Sequence, residues 1–224
     1  MRKTFLNRYQ YQDEPAGNVP KVFVTFEGPE GAGKSTLIGV IAERLASVGR
    51  AALQTREPGS TDFGAALRRL LLEGDDLLPE SELFLFLADR ADHVRRVIRP
   101  ALDEGKIVLC DRYADSTLVY QGYGRGLDLD FLRRANAFAT GGLGPHITLL
   151  LDLDPETGLA RLSAKDRLDR EPFDFHRRVR EGFLEEARRE PDRWVVLDAS
   201  QSPEQVAARA WDAIRARLNA GDAE

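Results

Sequence analysis

The sequence predicts an α/β fold in which one five-stranded parallel sheet is covered by helices on both faces. Three observations carry this expectation. Five short apolar runs are spread along the chain, longer segments of helical spacing lie between them, and a glycine cluster joins the first run to the first such segment. Strands that read as continuous apolar runs, rather than as alternating ones, are buried on both faces, as in sheets wrapped by crossover helices.

The runs are "VFVTFE" (22–27), "AALQTR" (51–56), "KIVLCD" (106–111), "HITLLLDL" (146–153) and "WVVLDA" (194–199). Helices are expected at about 34–49, 62–73, 80–104, 128–139, 155–163, 173–190 and 203–219. Residues 1–20, "MRKTFLNRYQYQDEPAGNVP", lack the apolar core of a signal peptide and read as a flexible extension to a domain spanning 21–220. The charged stretch "RLSAKDRLDREP" (161–172) departs from the pattern. It reads as a solvated helix face or as a short helical lid over anionic ligands.

At 224 residues the chain suits one large domain. A net charge of −5 argues against a nonspecific nucleic-acid binder. No apolar stretch is long enough to span a membrane, so no membrane partner is expected. The lone cysteine, Cys110, cannot form an internal disulfide, and its apolar neighbours suit a buried strand in a reduced, cytoplasmic setting.

The glycine cluster "FEGPEGAGKSTL" (26–37) carries the chemistry. Gly28, Gly33, Lys34 and Ser35 match G-x-x-x-x-G-K-[ST], a phosphate-binding loop between a strand and a helix. The loop Gly28, Pro29, Glu30, Gly31, Ala32, Gly33 and the helix start Lys34, Ser35, Thr36 are expected to hold a nucleoside triphosphate. Converging backbone N–H groups bind the phosphates, Lys34 adds a compact positive charge, and the Ser35 hydroxyl can ligate Mg²⁺. Asp111, at the end of the third run, is the second candidate for Mg²⁺. No Asn-Lys-x-Asp guanine reader occurs, and the chain is short for a motor. A small-molecule kinase is favoured, with a non-catalytic ATP-binding switch protein as the alternative.

Four further segments matter: "TREPGS" (55–60), "LFLADRADHV" (85–94), "DRYADSTLVYQGYGRG" (111–126) and "DRLDREPFDF" (166–175). With "EGPEGAGKST", in this order and spacing, they resemble the bacterial thymidylate kinases, from about Val22 to near the C-terminus. The resemblance implies a phosphate-loop kinase fold and Mg²⁺-dependent transfer of the ATP γ-phosphoryl group to dTMP. It also implies a homodimer. Another nucleoside-monophosphate or deoxynucleoside kinase is the nearest alternative.

A kinase for a monophosphate must bring two anions together, so cationic and bidentate positioning is its main need, and arginine supplies it best. Arg112 and Arg56 each end an apolar run, where side chains face the ligand crevice of such sheets. By resemblance both hold the acceptor phosphate. Phe86 and Arg90 are four apart on one helix face, and spacing alone makes Phe86 a core residue. The resemblance instead implies that Phe86 stacks on thymine and Arg90 bonds a base carbonyl. It likewise counts Ser116 among the dTMP-binding residues and places Thr117 at the thymine edge, Tyr120 against the sugar 2′ position, and Glu30 near the 3′-hydroxyl. The loop lacks an arginine, so the lid should supply the cation for the transferring phosphate, as an arginine finger does in cis. Candidates are Arg161, Lys165, Arg167 and Arg170, with Arg167 first.

Overall fold

The computed structural model describes residues 21–74 and 76–221, so the extension expected at 1–20 lies outside the described residues. The five runs form β1 (Phe23–Glu27), β2 (Ala52–Arg56), β3 (Ile107–Asp111), β4 (Ile147–Asp152) and β5 (Trp194–Asp198). All pair in parallel, in the order β2-β3-β1-β4-β5. Every residue of the central β1 is buried, which is why its run shows no alternation.

Helix α1 (Lys34–Ser47) and the C-terminal α9 (Pro203–Gly221) cover one face, with Ile41, Leu45, Ala210 and Ile214 fully buried against the sheet. The other face is covered in two parts. α8 (Phe173–Arg189) packs Val179 and Phe183 beneath β4 and β5, and a second group around Ile98 and Leu102 lies under β1 and β3. Phe183 has no exposed surface. Phe183→Ala is therefore expected to cost about 3–5 kcal/mol of unfolding free energy, read as a lower urea midpoint.

The helix expected over 80–104 is divided: α3 (Pro79–His93), a π-helical turn (Val94–Ile98) and α4 (Arg99–Asp103). Pro100 explains the wide turn, because it has no N–H to return to the preceding turn and its ring crowds that turn's carbonyl. The segment after β3 forms α5 (Ala114–Thr117) and a second π-helical stretch, Leu118–Gly124, which carries the acceptor motif. α2 (Asp62–Leu72), α6 (Leu129–Thr140) and α7 (Pro155–Ala160) complete the fold. α7 ends earlier than expected, and the only helical turn within 161–172 is a short 3₁₀ segment at Leu168–Arg170. The lid segment is thus mostly irregular.

Candidate active site

The site lies beyond the C-terminal ends of β1, β2 and β3, where an open parallel sheet leaves its crevice. The nucleotide loop leaves β1 in a conformation that only glycine suits at two points. Gly28 and Gly31 have φ of 139° and 68°. A Cβ on either would run into a carbonyl oxygen, of Leu151 for Gly28 and of Gly158 for Gly31. Gly33, at φ 92°, opens α1. Lys34 is buried and its ammonium donates to the Gly28 and Pro29 carbonyls at 3.1 and 2.9 Å. Burial, and then the nearby Arg112, pull Lys34 down to about 8 against the carboxylates of Asp111, Glu30 and Glu27.

A cleft of about 310 Å³ opens beside this loop. Four cations, Lys34, Arg56, Arg112 and Arg68, line it. Arg112 donates to the Gly28 carbonyl at 3.0 Å and to Glu30 at 2.9 Å, and its guanidinium lies 5.0 Å from the Tyr120 ring centre. Burial alone would raise the Glu30 carboxyl, but Arg112 and Lys34 outweigh it and hold it below the usual range. The Tyr120 hydroxyl donates to the same Glu30 oxygen at 2.5 Å, while Glu30 Oε2 is buried without a hydrogen-bond partner. Ser116 lines the cleft next to Arg112.

The half-buried Phe86 and the buried Arg90, Thr117 and Gln121 line it as well. Arg90 donates to Glu57 at 2.8 Å, to Thr117 and Asn136 at 2.7 Å each, and to the Tyr113 carbonyl at 3.0 Å. Four of its five N–H donors are committed, so the planar group is fixed and one donor remains. Thr117 Oγ accepts from Arg90 and keeps its own hydrogen to donate.

A separate pocket of about 220 Å³ lies across the loop, lined by Gly33, Thr36, Leu37, Leu151, Gln201 and Arg161 among others. It is mostly apolar and lies where α1 meets the start of α9. Arg161 bonds the Gly31 carbonyl at 3.3 Å. Of the remaining loop residues, Ala32 lines this second pocket and Pro29 lines neither.

Ser35 Oγ donates to Asp111 Oδ2 at 2.8 Å, which brings the two proposed Mg²⁺ residues together. Among the described residues no three His, Cys, Asp or Glu side chains cluster to hold a metal. A hydroxyl and one carboxylate are hard oxygen donors that suit Mg²⁺, an ion held by few protein groups plus phosphates and water.

The lid expectation needs correction. Arg167 is buried, not poised over the phosphates: its guanidinium meets Glu82 at 2.5 Å and the Leu71 carbonyl at 2.8 Å. Glu82 is fully buried and also accepts from Gln121 at 2.8 Å and Arg125 at 3.0 Å. A carboxylate without water needs such partners, and Arg167 is one of them. Arg167→Ala should therefore lower unfolding free energy by about 3 kcal/mol, whereas an arginine finger would leave stability unchanged. Arg170 is exposed and donates to the Lys165 carbonyl at 3.0 Å, and Lys165 is exposed. Neither lines the main cleft, and of the four lid cations only Arg161 touches the nucleotide loop.

Two further carboxylates support the site. Glu57 holds Arg90 and His93, and Asp89 accepts from the Gly59 N–H. Burial and the nearby Glu57 push Asp89 up to about 6. Arg68 escaped sequence reading because it sits mid-helix among other charges; burial and the neighbouring Arg56 charge lower it.

Comparison with known proteins agrees with this geometry. The family model described as thymidylate kinase matches residues 26–210. The chain belongs to the thymidylate kinase family. A thymidylate kinase from Synechococcus sp. (strain JA-2-3B'a(2-13)) is 56% identical over 197 residues, covering 88% of this chain and 96% of the relative. That of Deinococcus radiodurans is 49% identical over 200 residues, covering 88% and 97%. The crystal structure of thymidylate kinase from Ehrlichia chaffeensis superposes with a TM-score of 0.73 at 32% identity, covering 87% of this chain and 98% of that one. A thymidylate kinase fold is thus shared over nearly the whole described chain. No helix among the described residues is long and apolar enough to cross a membrane.

Proposed function

We propose that the chain transfers the γ-phosphoryl group of ATP to dTMP, giving ADP and dTDP. The observation that supports this best is the make-up of the main cleft. Four cations, Lys34, Arg56, Arg68 and Arg112, line it together with an aromatic ring and a fixed arginine–threonine pair. A nucleoside monophosphate calls for both, cations for its phosphate and a flat surface with polar partners for its base.

In this reading the loop backbone and Lys34 hold the triphosphate, and the apolar pocket beside Arg161 takes the adenine. Arg112, Arg56 and Arg68 grip the acceptor phosphate, whose nearest oxygen attacks the γ-phosphorus while ADP departs on the opposite side. That oxygen is already anionic near neutral pH, since a phosphate monoester's second pKa is about 6, so no strong general base is required. Phe86 stacks on thymine, Arg90 and Thr117 bond its edge, and Ser116 borders the base and phosphate ends. Tyr120, fixed on Glu30, fills the space a 2′-hydroxyl would need, and the Glu30 carboxylate accepts from the 3′-hydroxyl. Bound near Ser35 and Asp111, Mg²⁺ would neutralise charge on the β- and γ-phosphates. Arg161 supplies the lid cation, and closure of the 161–166 segment excludes water.

We place the protein in the cytoplasm, where the buried Cys110 stays reduced. It works as a homodimer. α2 packs on α3 and α3 on α6, and these helices present Phe63, Leu70, Phe84, Phe131 and Phe138 to solvent. Large apolar side chains exposed on helices that pack side by side favour a second copy. The test is ADP release from ATP and Mg²⁺ with and without dTMP. Acceleration by dTMP, abolished by EDTA, supports the proposal; an unchanged rate overturns it.

A further inference from the structure

Glu27 ends β1, is fully buried, and takes no part in the transfer described above. Both its oxygens are engaged by the segment that carries Arg112. Oε1 accepts from the Tyr113 N–H at 2.8 Å and Oε2 from the Ser116 hydroxyl at 2.6 Å. Arg112, the residue just before Tyr113, has φ of 65°, the one positive φ at a non-glycine among the described residues. Such a backbone persists only where its surroundings hold it. Here the Arg112 N–H donates to the Phe26 carbonyl at 3.0 Å, and the next N–H, that of Tyr113, is taken by Glu27. The result turns the Arg112 side chain back over the nucleotide loop onto Gly28 and Glu30.

The carboxylate is poorly placed for stability. Burial and then the nearby Asp115 push Glu27 up to about 7, against the pull of Arg112 and of the Ser116 and Tyr113 hydrogen bonds. The folded state therefore binds more protons than the unfolded one between about pH 4.5 and 7, and stability falls as pH rises through that window. The charged and titratable groups facing Glu27 are Asp115 and Arg112 around α5, Lys34 on α1, Cys110 on β3 and Tyr120 beyond α5. Asp115 is itself held by Arg193 at 2.8 Å. A buried group that opposes stability yet serves only the acceptor-phosphate segment points to function.

We infer that Glu27 is a positioning residue for phosphoryl transfer, holding the Tyr113 amide and Ser116 hydroxyl so that Arg112 is presented to the acceptor phosphate. The inference rests on the reading of the cleft as a monophosphate site.

Three variants test it. In Glu27→Gln the amide oxygen still accepts from Tyr113 and the amide nitrogen donates to Ser116 Oγ, so the geometry survives without charge. Glu27→Ala removes both bonds, and Glu27→Asp withdraws the carboxylate by one methylene. E27Q is expected to keep kcat/KM for dTMP within about 5-fold. Its Tm should match or exceed wild type at pH 8, with the difference shrinking toward pH 5. E27A should lose about 100-fold in kcat/KM for dTMP. Its ATP Kd, read by calorimetry, should stay within about 3-fold. If E27A does not fold, E27D carries the same test with a loss of about 10-fold and unchanged ATP affinity. Three results overturn the inference: full activity in E27A or E27D, parallel loss of ATP affinity and dTMP turnover, or an E27Q as inactive as E27A. Wild-type protein inactive with dTMP would instead sink the acceptor reading, and the variants would then be scored on the acceptor it prefers.

Discussion

Arg112→Ala is expected to lower kcat/KM for dTMP by about 10³-fold or more. Among the described residues Arg112 is the one cation that touches the loop carbonyl of Gly28, the Glu30 carboxylate and the cleft together. Its side chain is partly buried, and although that burial opposes its charge, Tyr120, Glu30 and Asp111 more than compensate. It therefore stays charged and held in place, the condition in which a preorganised cation stabilises a crowded, anionic transition state. Arg112→Lys should recover only part of the activity, because an ammonium cannot span two oxygens as the planar fork does. Steady-state kinetics for both variants, with dTMP affinity measured separately, check this. A loss under about 10-fold for the alanine variant would contradict the role.

Lys34→Ala should cost about 10²–10³-fold in kcat, the scale for removing one preorganised charge from a water-poor site. The wild-type residue adds a pH signature. With its free-state value near 8, Lys34 is mostly protonated at pH 7 and mostly neutral at pH 9. Bound phosphates favour the charged form, so ATP binding takes up a proton above pH 8. ATP affinity should therefore weaken about tenfold between pH 7 and pH 9. Calorimetry in buffers of different ionisation heat would show the proton uptake. A flat affinity over that range would mean that Lys34 stays charged in the free protein.

The sheet was legible because the three inner strands, β1, β3 and β4, are buried on both faces, so their apolar runs stand out; the edge strands β2 and β5 are partly exposed, which the expectation of five doubly buried strands missed. The glycine loop was legible for a different reason: Gly28 and Gly31 face carbonyl oxygens that leave no room for a Cβ. Arg112 and Arg56 could be placed because strand ends of a parallel sheet converge on one crevice. The lid was harder to read. A run such as "KDRLDRE" shows charge but not direction, and only the fold reveals that Arg167 turns inward to Glu82 while Arg161 reaches the loop. Buried partners such as Glu27, Glu57 and Glu82 were hidden for the same reason. A carboxylate's value there depends on neighbours up to 89 residues away, as with Ser116 and Glu27.

Acceptor choice tests the central claim most directly. ADP release would be measured with ATP and Mg²⁺ against dTMP, dUMP, ribothymidine monophosphate, dCMP, dGMP and AMP. A thymine stacked on Phe86 and edged by Arg90 and Thr117, with Tyr120 against its deoxyribose, predicts the highest kcat/KM for dTMP. It also predicts a marked loss for the ribose analogue. Equal or better turnover of dCMP, dGMP or AMP would contradict the assignment of the cleft.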